Sequence, residues 1–301
     1  MAGDDIPFVK DMHAEYGVLE EMAPNLRRMI ANNPGPFTHA GSGTYVVGRG
    51  RVAVIDPGPA LPEHIDALLR ALGDEQITHI LVTHTHADHS PGARLLKAAC
   101  GAPTYGFGPH AFGRYQRGEI VEAGADLDFV PDHRLADGQV LDTPTFRIGA
   151  VHTPGHCSNH LCFALPDTGA LLTGDHVMAW STSIVSPPDG DMAQYMASLS
   201  RLLTRSDSIY FPTHGVPIPN PKPFVRAYVR HRQLREAQIL DCLSRGMQRI
   251  DDMVKVMYVG LPAFLVPAAA RSVFAHLLQL LDEGRVRTEG GASLDASYTL
   301  A

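Results

Sequence analysis

Six consecutive residues, His84-Thr85-His86-Ala87-Asp88-His89, carry four side chains able to bind a metal ion. Imidazole nitrogens and carboxylates are the ligands that borderline divalent cations such as zinc prefer. The segment follows the apolar run Ile80-Leu81-Val82-Thr83, where a buried strand would emerge into a loop. Residues two apart in an extended chain face the same side, so His84 and His86 turn their rings together. Asp88 and His89 lie past a bend and could face a second ion. The competing reading is a polar surface loop that happens to be rich in histidine.

Three or four ligands per ion cannot all come from one short loop, so the motif needs partners. They occur downstream, each at the end of an apolar run. His152-Thr153-Pro154-Gly155-His156 follows residues 146–151, Asp175 follows Ala170-Leu171-Leu172-Thr173-Gly174, and His214-Gly215 follows residues 209–213. Strand ends converging on one sheet edge form the usual crevice for chemistry in α/β proteins. Pro154-Gly155 and Gly174 permit tight turns that bring backbone close to a site.

In this order the residues resemble the metallo-β-lactamase superfamily, over about the first three quarters of the chain. The resemblance rests on the His-x-His-x-Asp-His signature, Gly155-His156, Gly174-Asp175 and Thr213-His214-Gly215. It implies an αββα sandwich and a hydrolase with two divalent ions, zinc foremost, with manganese or iron accepted by the same ligands. Carried over position by position, one ion is held by His84, His86 and His156. A second is held by Asp88, His89 and His214, and Asp175 bridges the two. Asp56, before Pro57-Gly58, matches the family's early aspartate, which orients the metal-binding loop from behind; a plain turn residue is the other reading. True β-lactamases generally lack a carboxylate at the Gly-Asp position, whereas the glyoxalase, lactonase and nucleic-acid-processing branches have one. Residues 174–182 and 186–191 look most like the β-lactamase-like hydrolases with a C-terminal winged-helix domain, whose mitochondrial members are single-strand-directed endoribonucleases.

Two divalent ions sharing a water lower its pKa and yield a hydroxide nucleophile near neutral pH, while polarising the scissile bond. Asp175 would set the metal separation, and Asp88 could take the water's proton. Esters, thioesters, lactones, amides and phosphodiesters are all within reach of such a centre. His160 is a candidate to contact substrate or donate a proton, or else a hydrogen-bonded structural histidine. His176 would point away from Asp175's side. Cys157 is a minor candidate ligand, since Asp175 and His214 already complete the set. Trp180 and Tyr195 could line the pocket, with burial the expected role of Tyr195. His79, His110 and His133 lie outside the pattern.

The elements that must position these residues alternate. Residues 44–47 and 51–55 read as a hairpin around Gly48-Arg49-Gly50, and 77–83 as the strand feeding the metal loop. Pro62–Leu72 and Gly92–Cys100 read as helices closed by Gly73 and Gly101. Strands follow at 146–151, 161–165 and 170–173, then a helix capped by Asp191 that buries Tyr195, Met196, Leu199 and Leu202. Strands alternating with helices imply two sheets with helices outside. After the proline-rich 212–223, helices at 225–243, 250–258 and 268–281 precede strands at 286–288 and 297–300. That set resembles a winged helix. The expected division is a catalytic domain over 1–222 and an accessory domain over 223–301.

Composition bounds the partners. Cys100, Cys157, Cys162 and Cys242 show no paired spacing, which fits a reducing compartment. No apolar run reaches the ~20 residues of a membrane helix, so no membrane partner is expected. Residues 1–10 have no hydrophobic leader, so a cytoplasmic location is expected. The net charge of -7 disfavours non-specific attraction to nucleic acid. From Lys222 onward, 11 basic residues face 8 acidic ones, and the third helix of the tail offers only Arg271. Sequence-specific DNA binding is therefore not expected. Three functions compete: a dinuclear hydrolase of a small ester, thioester, lactone or related metabolite, a single-strand-directed endoribonuclease, and a metal-stabilised binding protein without turnover. The first is favoured, because structural zinc sites are usually closed, mononuclear and cysteine-rich, and because the front of the chain is acidic.

Overall fold

The first sheet is built in chain order from β1 (Glu20–Ala23), β2 (Leu26–Ile30), β3 (Gly43–Arg49), β4 (Arg51–Ile55), β5 (Gln76–Leu81), β6 (Thr104–Gly106) and β7 (His133–Arg134). These elements come from a computed structural model that describes residues 6–110 and 124–301. Residues 1–5, part of the stretch read for a leader, lie outside the described residues. The hairpin half, β1 to β4, is antiparallel, and β4 to β7 run parallel. Two helices, α1 (Pro62–Leu72) and α2 (Gly92–Cys100), supply the crossovers.

The second sheet has the order β13-β12-β11-β10-β9-β8, from β8 (Val140–Asp142), β9 (Arg147–His152), β10 (Leu161–Leu165), β11 (Ala170–Gly174), β12 (Ile209–Pro212) and β13 (Ile218–Pro219). Between β11 and β12 runs α3 (Met192–Thr204), whose N-cap Asp191 accepts the Gln194 backbone N–H at 2.9 Å. That crossover makes β11 and β12 the parallel pair of an otherwise antiparallel sheet.

Period-two alternation sorts the side chains into layers. Tyr45, Val47, Ala53 and Ile55 point inward and meet Ile148, Leu161, Phe163, Leu172 and Phe211 from the second sheet. Val46, Val52 and Val54 point outward onto Ile65, Leu68 and Leu96 of α1 and α2. On the far side Val151, Cys162 and Leu171 meet Tyr195, Leu199 and Leu202 of α3. Each fully buried Leu, Ile, Val or Phe contributes about 1.5–3 kcal/mol relative to exposure. The result is the expected αββα sandwich.

The chain continues into α4 (Pro221–Ser244), α5 (Ile250–Met257), α6 (Val266–Asp282), β14 (Val286–Thr288) and β15 (Tyr298–Leu300), the last two paired antiparallel as a wing. The N-terminal half of α4 puts Phe224, Val225 and Tyr228 into the core under α3. Its C-terminal half puts Ile239, Cys242 and Leu243 into a separate core with Met253, Val273, Leu277, Leu280 and Tyr298. One helix thus crosses the stretch where a division after residue 222 was expected. Residues 263–282 are long and apolar enough to cross a membrane, by length and composition only. The face carrying Val273, Leu277 and Leu280 is packed in this core.

Candidate metal centre

Strand ends deliver every expected ligand to one edge of the sandwich, and the two sheets are laced together there. Leu161 N–H donates to the Thr83 carbonyl at 2.7 Å, and Gly43 N–H to the Thr213 carbonyl at 2.8 Å. Two glycines make the approach possible. A Cβ on Gly155, whose φ is +134°, would lie 2.3 Å from Tyr195 Cα, and one on Gly174, at φ +51°, would lie 2.6 Å from His160 Nε2. Neither space admits a side chain.

His84 Nε2, His86 Nδ1 and His156 Nε2 form a triangle with edges of 3.0, 3.1 and 3.3 Å. Beside it, Asp88 Oδ2 lies 3.0 Å from His214 Nε2 and 3.3 Å from His89 Nε2. Asp175 stands between the groups: Oδ1 is 3.3 Å from His214 Nε2, and Oδ2 is 3.5 Å from His89 Nε2 and 3.9 Å from His156 Nε2. All seven predicted residues are therefore brought together. Asp88 is the most open of the second set, with 26% of its side chain exposed against none for His89 and His214.

The outward nitrogen of each ring is tied down so that the inward one presents its lone pair. His84 Nδ1 donates to Thr83 Oγ1 (3.0 Å), His89 Nδ1 to Asp56 Oδ2 (2.9 Å), His156 Nδ1 to the Ile184 carbonyl (2.5 Å) and His214 Nδ1 to the Gly41 carbonyl (3.1 Å). His86 is turned the other way, with Nε2 3.3 Å from Cys157 Sγ. Fixing the tautomer through the far nitrogen is how proteins orient imidazole ligands. Asp56 is buried and anchors the whole loop, accepting also from Thr83 N and Oγ1 and from Thr213 Oγ1.

Charge divides the cluster in two. Burial and the neighbouring imidazoles hold His84 well below the ordinary 6.5, and burial with His86 lowers His156 to about 4. Burial also opposes charge on His214, but Asp175 and Asp88 override it and push the ring up to about 10; His89 is raised in the same way. Asp88 and Asp175 are held well below 3.8 despite burial, because His89 and His214 outweigh it.

A divalent ion fits this arrangement. Nitrogen ligands ~2.0–2.1 Å from a tetrahedral zinc stand roughly 3.3 Å apart, the spacing of the His84–His86–His156 triangle. His89 Nε2, His214 Nε2 and Asp175 Oδ1 are buried and make no aligned hydrogen bond although they converge. His84, His86, His156 and Cys157 form one group able to hold a cation, and Asp88, His89 and His214 another.

Two expectations need correction or extension. Of the two readings of His160, the geometry matches the hydrogen-bonded structural histidine and not the substrate-contacting group: it is fully buried, its Nδ1 donates to Thr153 Oγ1 (2.9 Å) and its Nε2 accepts from Asp175 N (3.3 Å). The ring positions the backbone of Asp175. His110, left outside the pattern, approaches the metal loop through Thr85 Oγ1 at 3.0 Å. Sequence reasoning also missed Ser42, whose hydroxyl is 3.4 Å from Asp88 Oδ2. It missed Arg232 of α4 as well, which donates to the Ser183 carbonyl and to Ser272 Oγ of α6 (3.4 Å), beside the carbonyl that holds His156.

The description "Metallo-beta-lactamase superfamily" matches residues 38–214, which contain every one of these ligands. The chain belongs to the metallo-β-lactamase superfamily. It is accordingly a metal-dependent hydrolase. A second description, "Beta-lactamase associated winged helix domain", matches residues 250–293. A Drosophila melanogaster protein named Beta-lactamase-like protein 2 homolog is 33% identical over 88% of this chain and 90% of its own. A Claviceps purpurea protein named Atrochrysone carboxyl ACP thioesterase is 29% identical over 85% of this chain and 76% of its own. The solved structure of a beta-lactamase domain protein from Burkholderia ambifaria superposes with a TM-score of 0.80 at 20% identity, covering 100% of this chain and 99% of that one.

Proposed function

We propose that this superfamily member hydrolyses a small thioester or related activated ester, using two divalent cations. His84, His86 and His156 would hold one, Asp88, His89 and His214 the other, with Asp175 between them. The observation that carries the reading is the convergence of the ligand atoms at one sheet edge, where buried His89 Nε2, His214 Nε2 and Asp175 Oδ1 make no hydrogen bond. Bound cations supply Lewis acidity and acidify a water enough to attack near neutral pH. The protein's part is orientation and proton traffic. Asp56 and the Gly41 and Ile184 carbonyls fix the rings, and Asp88, the most open carboxylate of the set, takes the proton of the attacking water. Water oxygen bonds to the acyl carbon, the C–S bond breaks, and the thiol leaves with a proton.

The thioester is favoured over RNA for two reasons. The relative from Claviceps purpurea is named as a thioesterase, and the net charge of -7 does not suit a polyanion. Residues 223–301 we assign to an accessory unit braced against the catalytic sandwich through α4. The test is metal analysis of purified protein, followed by kcat/KM on thioesters, esters, lactones and a short unstructured RNA, with Asp88→Ala controlling for contamination. Metal-dependent thioester turnover is expected. Efficient RNA cleavage without small-molecule turnover reverses the assignment.

A further inference from the structure

Two rings outside the metal set stack on each other, next to the loops that carry it. Trp180, the single tryptophan of the chain, stacks on His39 with centroids 4.9 Å apart and planes 17° from parallel. Both are partly exposed, while His89, His214 and Asp175 behind them are buried.

Each ring is tied to the second group of donors. On one side, the loop carrying His39 continues into the Gly41 carbonyl that accepts from His214 and the Ser42 hydroxyl beside Asp88. On the other, Gly215 follows His214 directly, and a Cβ there would stand 3.3 Å from Trp180 Cδ1. Arg28 Nη1 fixes that turn by donating to the Gly215 carbonyl at 3.0 Å. The stack thus borders the edge on which Asp88 is exposed.

The surface is built rather than incidental. His39 holds a φ of 56°, a left-handed conformation uncommon outside glycine. Paired backbone bonds with Gly35, at 2.9 and 3.1 Å, keep it there, and its Nε2 donates to the Lys10 carbonyl at 3.0 Å. Trp180 Nε1 is buried and has no hydrogen-bond partner, whereas buried indole N–H groups ordinarily find one. What the stack leaves exposed is ring surface, which suits a flat group that packs by area.

We infer that the Trp180–His39 stack is the wall on which the acyl part of the substrate packs. It selects flat aryl or fused-ring acyl groups over short aliphatic ones. This deepens, and rests on, the hydrolase assignment above.

The single tryptophan supplies a readout that needs no turnover. Benzoate, the product of an aryl thioester, is titrated into the metal-loaded protein and binding is followed both by tryptophan emission and by equilibrium dialysis. Acetate is the comparison. A saturable emission change with benzoate and none with acetate is expected. In parallel, Trp180→Leu should lower the ratio of kcat/KM for benzoyl over acetyl thioester about three- to tenfold, the scale of an aromatic contact. Trp180→Phe keeps an aromatic ring on His39 with less area, so it should fall between, and it serves if the leucine variant folds poorly. Benzoate that does not bind, or binds without altering emission, overturns the inference, as does wild-type selectivity in a folded leucine variant. Absence of turnover on every thioester and ester refutes the hydrolase assignment instead, and the benzoate titration still reads the wall by itself.

Discussion

Replacing Asp56 by asparagine isolates how the metal-binding loop is held. The carboxylate is 1% exposed and faces four donors. Oδ1 accepts from Thr83 N at 2.8 Å, and Oδ2 accepts from Thr83 Oγ1, His89 Nδ1 and Thr213 Oγ1 at 2.7, 2.9 and 3.1 Å. An amide presents one acceptor and one donor, so some N–H must meet another. The milder orientation puts the amide nitrogen opposite Thr83 N, leaving a buried peptide donor unsatisfied at about 1–3 kcal/mol. The three remaining bonds lose their charge assistance, worth roughly another 1 kcal/mol each at most. Backbone strain does not change: Asp56 has φ 49°, and asparagine accepts the left-handed region as readily. The expected destabilisation of the metal-free protein is about 3–5 kcal/mol, the scale for breaking a buried charge pair.

A second effect follows at the metal. His89 Nδ1 loses a charged acceptor, so the lone pair on Nε2 is less firmly presented, and affinity should fall about 10- to 100-fold. Urea denaturation of the metal-free proteins reads the first effect, and chelator competition for zinc reads the second. A variant within about 0.5 kcal/mol of wild type, with the same zinc affinity, would refute this reasoning and leave Asp56 a turn residue.

Zinc uptake should release about two protons between pH 7 and 9, because His89 and His214 are held protonated in the metal-free protein and must deprotonate to ligate; calorimetry in buffers of different ionisation enthalpy counts them, and release of none contradicts the pairing. His214 titrates near 6.5 when unfolded and about 10 when folded, so its contribution to metal-free stability is complete below 6.5 and lost as pH rises through about 10; denaturation midpoints across that window test it. Gly155→Ala should cost about 3 kcal/mol or more, since the new Cβ meets the Tyr195 backbone at 2.3 Å; soluble protein with wild-type melting and zinc content counts against it. Arg232 is buried, donates to the Ser183 carbonyl and lies over the Tyr195 ring, so Arg232→Met should cost about 1–3 kcal/mol of stability. Its zinc affinity should drop about tenfold as the Ser183–Ile184 carbonyls loosen, and wild-type affinity in chelator competition would exclude that link.

What could be read in the residues was what local chemistry writes linearly. Pro62 at a helix start and Gly73 and Gly101 at helix ends bound α1 and α2, and both helices lie where expected. The metal ligands were legible because four fall in one loop and the rest close apolar runs. The strand β2 was not, since Leu26-Arg27-Arg28-Met29-Ile30 buries two arginines. Only tertiary partners allow that: Arg27 reaches Glu75 at 2.5 Å, and Arg28 reaches the Gly215 carbonyl. β6, β7, β8 and β13 span two or three residues each, too short for any periodicity. α4 begins at Pro221, ahead of the expected 225, because the first turn has no N–H partner for proline to remove. The carbonyls of Gly41 and Ile184, which orient two ligands, have no signature in a sequence at all. The role of His160 stayed open in the sequence because its spacing from His156 does not reveal that the ring is buried against Thr153 just before β10.

The shared helix α4 also makes residue number a geometric variable. It is continuous for 24 residues, with its ends in two different cores. One residue inserted between Arg232 and Ile239 would turn everything beyond it by about 100° and advance it about 1.5 Å. Ala275 of α6 would leave the core it shares with α3, and Ser272 would swing away from Arg232. An insertion in the exposed turn at 289–292 changes no such phase. Length changes between Arg232 and Ile239 should therefore be tolerated only in whole helical turns, whereas the tip of the wing is free to vary.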